Sequence, residues 1–195
     1  IPSIIWGCFF FGLLFAEEDL VLQVLSEKQE EHRAAIQQLT QKAPDEQKKY
    51  VPFFVEFLKN ENEDYRRKAL CALAKIGISA EEAFPQIQTC LQDSSEKVRA
   101  NAVWALGEIG PIAQEAIPQM IPLLQQEDET LRLQVIEVLG RLGKKSPETL
   151  QELLKLLEIP QISVQEKTIQ ALGNLQNAKA VPTLSKFLNH PALAL

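Results

Sequence analysis

The sequence predicts an all-α fold, a solenoid of two-helix units that repeat every 33 residues and stack on one another. Three observations predict it. EDYRRKALCALAKIG (63–77) lies over EKVRANAVWALGEIG (96–110) at a register of 33, and repetition at such a period marks a stacked array. Within each segment the apolar residues fall at helical spacing, as in Val98, Ala102, Ala105, Leu106 and Ile109. The composition, 46 % hydrophobic but only 7 % aromatic with 8 Gly, lacks the aromatic strands and Gly turns of a sandwich or barrel.

Residues 1–16, IPSIIWGCFFFGLLFA, carry no charge, and Glu17, Glu18 and Asp19 follow at once. An apolar run ended in this way reads as the hydrophobic part and cleavage end of a signal peptide, with a membrane anchor as the alternative. The run is shorter than the ~20 residues that span a bilayer. It opens on Ile1 with neither Met nor a basic segment, so residues ahead of it are expected.

The solenoid is expected over 17–195, as a half-unit followed by five units and eleven helices in all. The half-unit, Glu17–Glu27, sets Val21, Leu22, Val24 and Leu25 in register with Phe54, Val55, Phe57 and Leu58. First helices share the columns Arg33, Arg66, Arg99, Arg132 and Ile36, Ala69, Ala102, Val135, Thr168. A third column runs Thr40, Leu73, Leu106, Leu139, Leu172, and Gly77, Gly110 and Gly143 end the helices. Second helices carry Pro52, Pro85 and Pro118 in their first turns, where Pro is tolerated, and bury Phe57, Cys90, Leu123 and Leu156. The acidic pairs Glu63–Asp64 and Glu81–Glu82 complement helix N-termini. The fifth unit loses two residues before Ala180, and Asn189-His190-Pro191 stands where a further unit would begin, so continuation beyond 195 is expected.

The segment VRANAVWALGEIG…AIPQMIPLL (98–124) and its copies over about 29–189 resemble the HEAT-like repeats, of the short bacterial type first recognised in phycobilisome lyases. The resemblance implies a right-handed α-solenoid whose second helices line a concave surface that grips other proteins. Deoxyhypusine hydroxylases are also built of HEAT-like repeats, and that family holds iron with several His-Glu pairs. Here there are two His, with His32 before Arg33 and His190 before Pro191, which excludes such a site.

Other chemistry is equally sparse. The sequence has no Walker loop, GxSxG, CxxC or CxxCH motif. Cys71 and Cys90 lie on different helices of one unit with no base predicted beside either. No catalytic residue, cofactor or metal ligand is therefore expected. A net charge of −6 argues against nucleic acid as a partner.

What remains is surface. On second helices the outward columns read Phe53, Gln86, Gln119, Glu152 and Glu56, Thr89, Pro122, Lys155. With Gln88, Gln92 and Gln125 they make an amide-rich face suited to peptide backbone; an ordinary solvated face is the alternative. Phe53 is either an anchor for a partner or a residue packed under the half-unit. Trp104, in column with Cys71, Glu137 and Gln170, is expected on the convex side, either as a hot spot or as an incidental surface aromatic. The column Arg33, Arg66, Arg99, Arg132 reads as an anion-binding stripe or as a structural ladder, and its recurrence in every unit favours the ladder.

The sequence thus points to a non-catalytic scaffold for a protein or peptide partner, exported to the periplasm or beyond the cell. The alternatives are an accessory, chaperone-like subunit of a lyase-type enzyme, and a structural subunit tethered to a membrane by residues 1–16. Export makes one firm prediction. Mass spectrometry of the product of the complete reading frame should find a mature N-terminus at Glu17, and a soluble product that keeps Trp6 would reject export.

Overall fold

The structure, a computed structural model, describes residues 15–187; the uncharged run through residue 14, Trp6 included, and the expected start of a further unit at 189–191 lie outside them. Twelve α-helices stack as a right-handed solenoid, with no strand among the described residues. The half-unit is α1 (Phe15–Val24), which runs through the expected Ala16–Glu17 boundary and buries Val21, Val24 and Leu25. The first unit has α2 (Gln29–Thr40), α3 (Pro44–Lys48) and α4 (Val51–Phe57). Then come α5 (Glu63–Ile76) with α6 (Phe84–Thr89), and α7 (Glu96–Glu108) with α8 (Ile117–Met120). The last two pairs are α9 (Glu129–Leu142) with α10 (Pro147–Leu156), and α11 (Ile162–Leu175) with α12 (Val181–Phe187).

The first helices form the tight layer. Leu73, Leu106 and Leu139 are fully buried along it. A Cβ on Gly140 would stand 2.6 Å from the Cα of Ala171, and one on Gly107 would stand 2.9 Å from the Val138 side chain. At Gly140 successive first helices therefore meet backbone to backbone, which a Cβ would prevent, whereas at Gly107 the missing Cβ makes room for the Val138 and Arg141 side chains. Gly173 continues the column and has nothing within 4 Å among the described residues.

The second helices are short, and proline interrupts one of them. Pro52, Pro85 and Pro118 sit in first turns and cost nothing there, but Pro122 has no N–H to give where α8 would continue. In the first unit the connection between the two helices, which is a 3-10 turn at Gly77–Ala83 and Pro111–Ala116 in the next units, is itself an α-helix at Pro44–Lys48, so twelve helices among the described residues replace the eleven expected. In the next two units the α segments shrink to α6 and α8, continued by tighter 3-10 turns at Cys90–Gln92 and Ile121–Gln125. α10, with no Pro beyond its first position, runs unbroken for 10 residues.

The register of the first unit is also corrected. The residues capping first helices are Lys28, Asn62, Ser95, Asp128 and Gln161, so the first step is one residue longer than the others. Ala35 and Leu39 are buried there, whereas Ile36 is half-buried and Thr40 exposed. A strict 33-residue register would have buried a Thr hydroxyl and turned Leu39 to water. In the inter-helix turns, Gly77 (φ 65°) and Gly110 (φ 99°) need their missing Cβ for positive φ. Gly143 needs it for another reason: a Cβ there would lie 2.5 Å from the Thr149 methyl. The fifth unit puts Gln176 (φ 53°) in the same place, in the left-handed region.

Two core hydroxyls, those of Thr149 and Thr168, are buried without a hydrogen-bond partner. Thr168 occupies the column of Ala69, Ala102 and Val135, and its Oγ1 is buried with no hydrogen-bond partner. Val has the same shape without the orphaned group, so Thr168→Val should raise stability by ~1 kcal/mol, read as a higher urea midpoint at unchanged slope. A lowered midpoint would show that the hydroxyl is satisfied.

Candidate functional site

Arginine closes each turn between units. Arg66 donates to the carbonyls of Asn60 and Glu61 at 2.8 and 2.9 Å, and reaches forward to both carboxylate oxygens of Asp93 at 2.7 and 2.8 Å. Arg99 repeats this with the carbonyls of Asp93 and Ser94 and the side-chain oxygen of Gln126. Arg132 donates to the carbonyls of Leu124 and Gln126 and, at 3.5 Å, to Gln161. These guanidiniums spend their donors within the chain, which leaves little for a bound anion. Arg33 does not join them. The extra residue in the first unit turns it into solvent, where it meets Glu30 at 3.9 Å, and His32 bonds the carbonyl of Val24 instead. Gln165, in the fifth unit, takes the Arg position with a bond of 3.0 Å to the carbonyl of Leu157. Sequence reasoning missed the forward partners Asp93 and Gln126, although both stand 27 residues after their Arg.

The second-helix residues singled out from sequence do not converge. Phe53 is half-buried and packs against the core. Glu56 pairs with Lys59 at 2.9 Å and Glu152 with Lys155 at 2.6 Å, each within its own turn. Gln86 is half-buried with its Oε1 unpartnered, and the Thr89 hydroxyl donates to its own helix at the carbonyl of Gln86. Gln119 is exposed and lines an open depression of about 550 Å³ with Pro118, Pro122 and Gln126.

On the first helices, Trp104 is half-buried against the core, and Lys75 of the preceding unit sits 5.1 Å from its ring centroid. Further bridges join successive first helices on this side: Glu108 to Arg141 at 3.0 Å and Glu137 to Lys167 at 2.6 Å. Burial pushes the Cys90 thiol up to about 11 and raises that of Cys71, so neither is a thiolate at neutral pH. The described residues include no cluster of His, Cys, Asp and Glu placed to hold a metal, and no helix long and apolar enough to cross a membrane.

Residues 84–161 match the family model for HEAT repeats, and residues 65–93 and 164–190 match that for the PBS lyase HEAT-like repeat. The chain belongs to the HEAT-like repeat family. A search of curated proteins gave no match. Among solved structures, this HEAT-repeat chain is similar to a designed armadillo repeat protein in complex with the peptide (KR)4, at 22 % identity and a TM-score of 0.64 over 89 % of this chain and 92 % of that one. It is also similar to an engineered protein, at 20 % identity and a TM-score of 0.62 over 89 % of both chains. A homology model of the full-length AP-3 complex gives a TM-score of 0.67 at 17 % identity, over 92 % of this chain and 35 % of that one. At such identities the likeness is one of fold.

The Arg66–Asp93 pair, 12 % exposed on each side, makes a prediction about acid. Burial pushes the Asp93 carboxyl up, but the Arg66 guanidinium and the Ser95 N–H outweigh it, and the net shift is downward. A carboxylate depressed in the folded state contributes stability above its unfolded value of about 3.9 and loses it as pH falls through the folded value. Asp93→Asn should therefore be less stable than wild type at pH 7, with the gap closing below about pH 4 in a thermal-melt series. A gap independent of pH would show that the pair contributes nothing ionic.

Proposed function

We propose that this HEAT-repeat protein is a non-catalytic scaffold that holds a segment of another protein along its outward helical faces. One observation carries the proposal. The stacking columns scarcely vary, as in Leu73, Leu106, Leu139 and Leu172, while outward columns change from unit to unit, as in Cys71, Trp104, Glu137 and Gln170. Stacking uses only the inner side chains, so the outer ones are free to match a partner position by position. The similar fold of a designed armadillo protein in complex with a peptide supports the same reading. Export belongs to this proposal through the uncharged run 1–16.

Site-directed photo-crosslinking tests it in the cells that make the protein. Probes at Thr89, Gln119 and Lys155 on second helices, and at Cys71 and Glu137 on first helices, should yield a shared crosslinked product at several positions of one face. Products that differ at every position would reject a docking face. Phe53→Ala is a companion measurement. Because Phe53 packs against the core, the change should lower the melting temperature by several degrees, as for a loss of ~1 kcal/mol, with the crosslink retained in the cold. An unchanged melting temperature with a lost crosslink would make Phe53 an anchor instead.

A further inference from the structure

We infer that the far face of the fifth unit, on α11 and α12, is an open stacking face, and that its occupant is a further two-helix unit supplied by this same chain beyond Phe187. Columns that are core in the second, third and fourth units come to the surface there. On first helices, Leu70, Val103 and Ile136 are fully buried, whereas Ile169 in the same column is half-buried. Second helices align through the buried Ala83, Ala116, Thr149 and Ala180. In that register Phe84, Ile117 and Leu150 are buried, while Val181 is 61 % exposed. Ile87, Met120 and Leu153 are likewise buried, and Leu184 is only half-buried. Gly173 follows Gly140 in its column, but a Cβ on Gly140 would stand 2.6 Å from the Cα of Ala171, and one on Gly173 would meet nothing within 4 Å among the described residues. Ile162, 53 % exposed, extends the stripe where Glu63, Glu96 and Glu129 stand in earlier units. What these residues lack is the neighbour that each earlier unit has.

The opposite end of the stack is built differently. Gln38, exposed on α2, holds the place of Ala72, Ala105, Val138 and Ala171, all of them buried. With Glu30 and Gln41 also exposed, that end has the polar outer face that closes an array in water. The fifth unit has no such face, and the earlier units show what fits it. Each receives a first helix parallel to its own, because a return helix lies between the two. A second copy related by a two-fold axis would bring an antiparallel helix, and a copy added head to tail would bring the polar end at Gln38. The chain itself brings a parallel one. α6, α8 and α10 each lead through a short turn to the next first helix, and α12 is followed by LNHPALAL (188–195), turn-forming Asn and Pro and then four apolar residues. Glu166 is exposed within the stripe. Ion pairs already cross between units at Glu108–Arg141 and Glu137–Lys167. The incoming helix therefore carries a small residue opposite Gly173, apolar side chains against Ile169 and Val181, and a Lys or Arg within reach of Glu166. The inference goes beyond the scaffold reading and does not depend on it, since it concerns what completes the stack and not what the stack holds.

The test compares the 195-residue chain with the product of the complete reading frame. Gly173→Leu should leave the melting temperature of the 195-residue chain unchanged, because nothing stands near its Cβ. In the complete product the same change should lower the melting temperature by several degrees, because the incoming helix would occupy that space. Maleimide labelling of a Val181→Cys variant, followed peptide by peptide in a mass spectrometer, should be at least about tenfold slower in the complete product. Thr89→Cys, exposed on α6, should label at the same rate in both. A Gly173→Leu shift equal in the two products, or a Val181→Cys labelled equally fast in both, would overturn the inference. So would a reading frame that brings no helical sequence after Leu195. If the 195-residue chain already protects Val181→Cys and sediments as a dimer, the occupant is a second copy. If protection appears only on addition of cell extract, the occupant is another protein. Either result rejects stacking by the chain itself, and none of these outcomes bears on the crosslinks that test the scaffold.

Discussion

Everything in this molecule depends on how closely one first helix can lie against the next. A two-helix unit has too little interior of its own, and its apolar stripe is buried only by its neighbours. The columns through Leu73, Leu106 and Leu139 supply that burial, but the spacing is set where a Cβ would not fit, against the backbone of Ala171 at Gly140 and against the Val138 and Arg141 side chains at Gly107. Once that distance is fixed, the second helices need only follow. This is why they tolerate Pro85, Pro118 and Pro122 and break into 3-10 turns without loss of the stack.

The arginine ladder answers a different need. Each unit begins where the last turn of the preceding one leaves carbonyls without partners. Arg66, Arg99 and Arg132 collect these carbonyls and couple them to the turn of the next unit. Only the Arg66–Asp93 step is ionic; at the next two steps the forward partner is an amide, Gln126 or Gln161. A charge-assisted bond to a neutral oxygen satisfies the guanidinium without desolvating a second ion. Where the ladder starts and ends it weakens to His32 and Gln165. Lys68, 7 % exposed, then ties the half-unit to the second unit through the carbonyls of Leu25 and Ser26.

Repetition made the stack legible from sequence, because burial at Leu106 must recur wherever the same contact recurs. The same logic misled at the first unit. Arg33 continues the Arg column by residue type, yet Ala35 and Leu39, not Ile36 and Thr40, are the buried pair. Apolar burial outweighs a surface guanidinium when the two disagree on register. Helix continuity was illegible for another reason: a Pro in the first turn is harmless, whereas Pro122, in the second turn of its helix, is not, and both look alike in a column. The surface was hardest to read. Outward columns show which residues face solvent, but not whether they lie on a ridge or in a trough, since that depends on the spacing of the layers. Trp104 was visible as an outlier in its column; its contact with Lys75 appears only when two units are stacked.

Rigidity links the stack to its function. A partner segment that binds a mobile surface must order that surface as well as itself, and the ordering cost is deducted from affinity. The first-helix layer is held by the close approach at Gly140 and by ion pairs that cross from unit to unit, Glu108 to Arg141 and Glu137 to Lys167. The second-helix layer has ion pairs of the local kind, Glu56 with Lys59 and Glu152 with Lys155, and its helices are short. An extended ligand also requires that successive contact points keep a constant spacing, because one slipped unit would misplace every side chain beyond it. The layer whose spacing is dictated by Gly107 and Gly140 meets that requirement, and the layer interrupted by proline does not. The close approach at Gly140 that builds the stack is thus also what makes the first-helix surface the stiffer of the two.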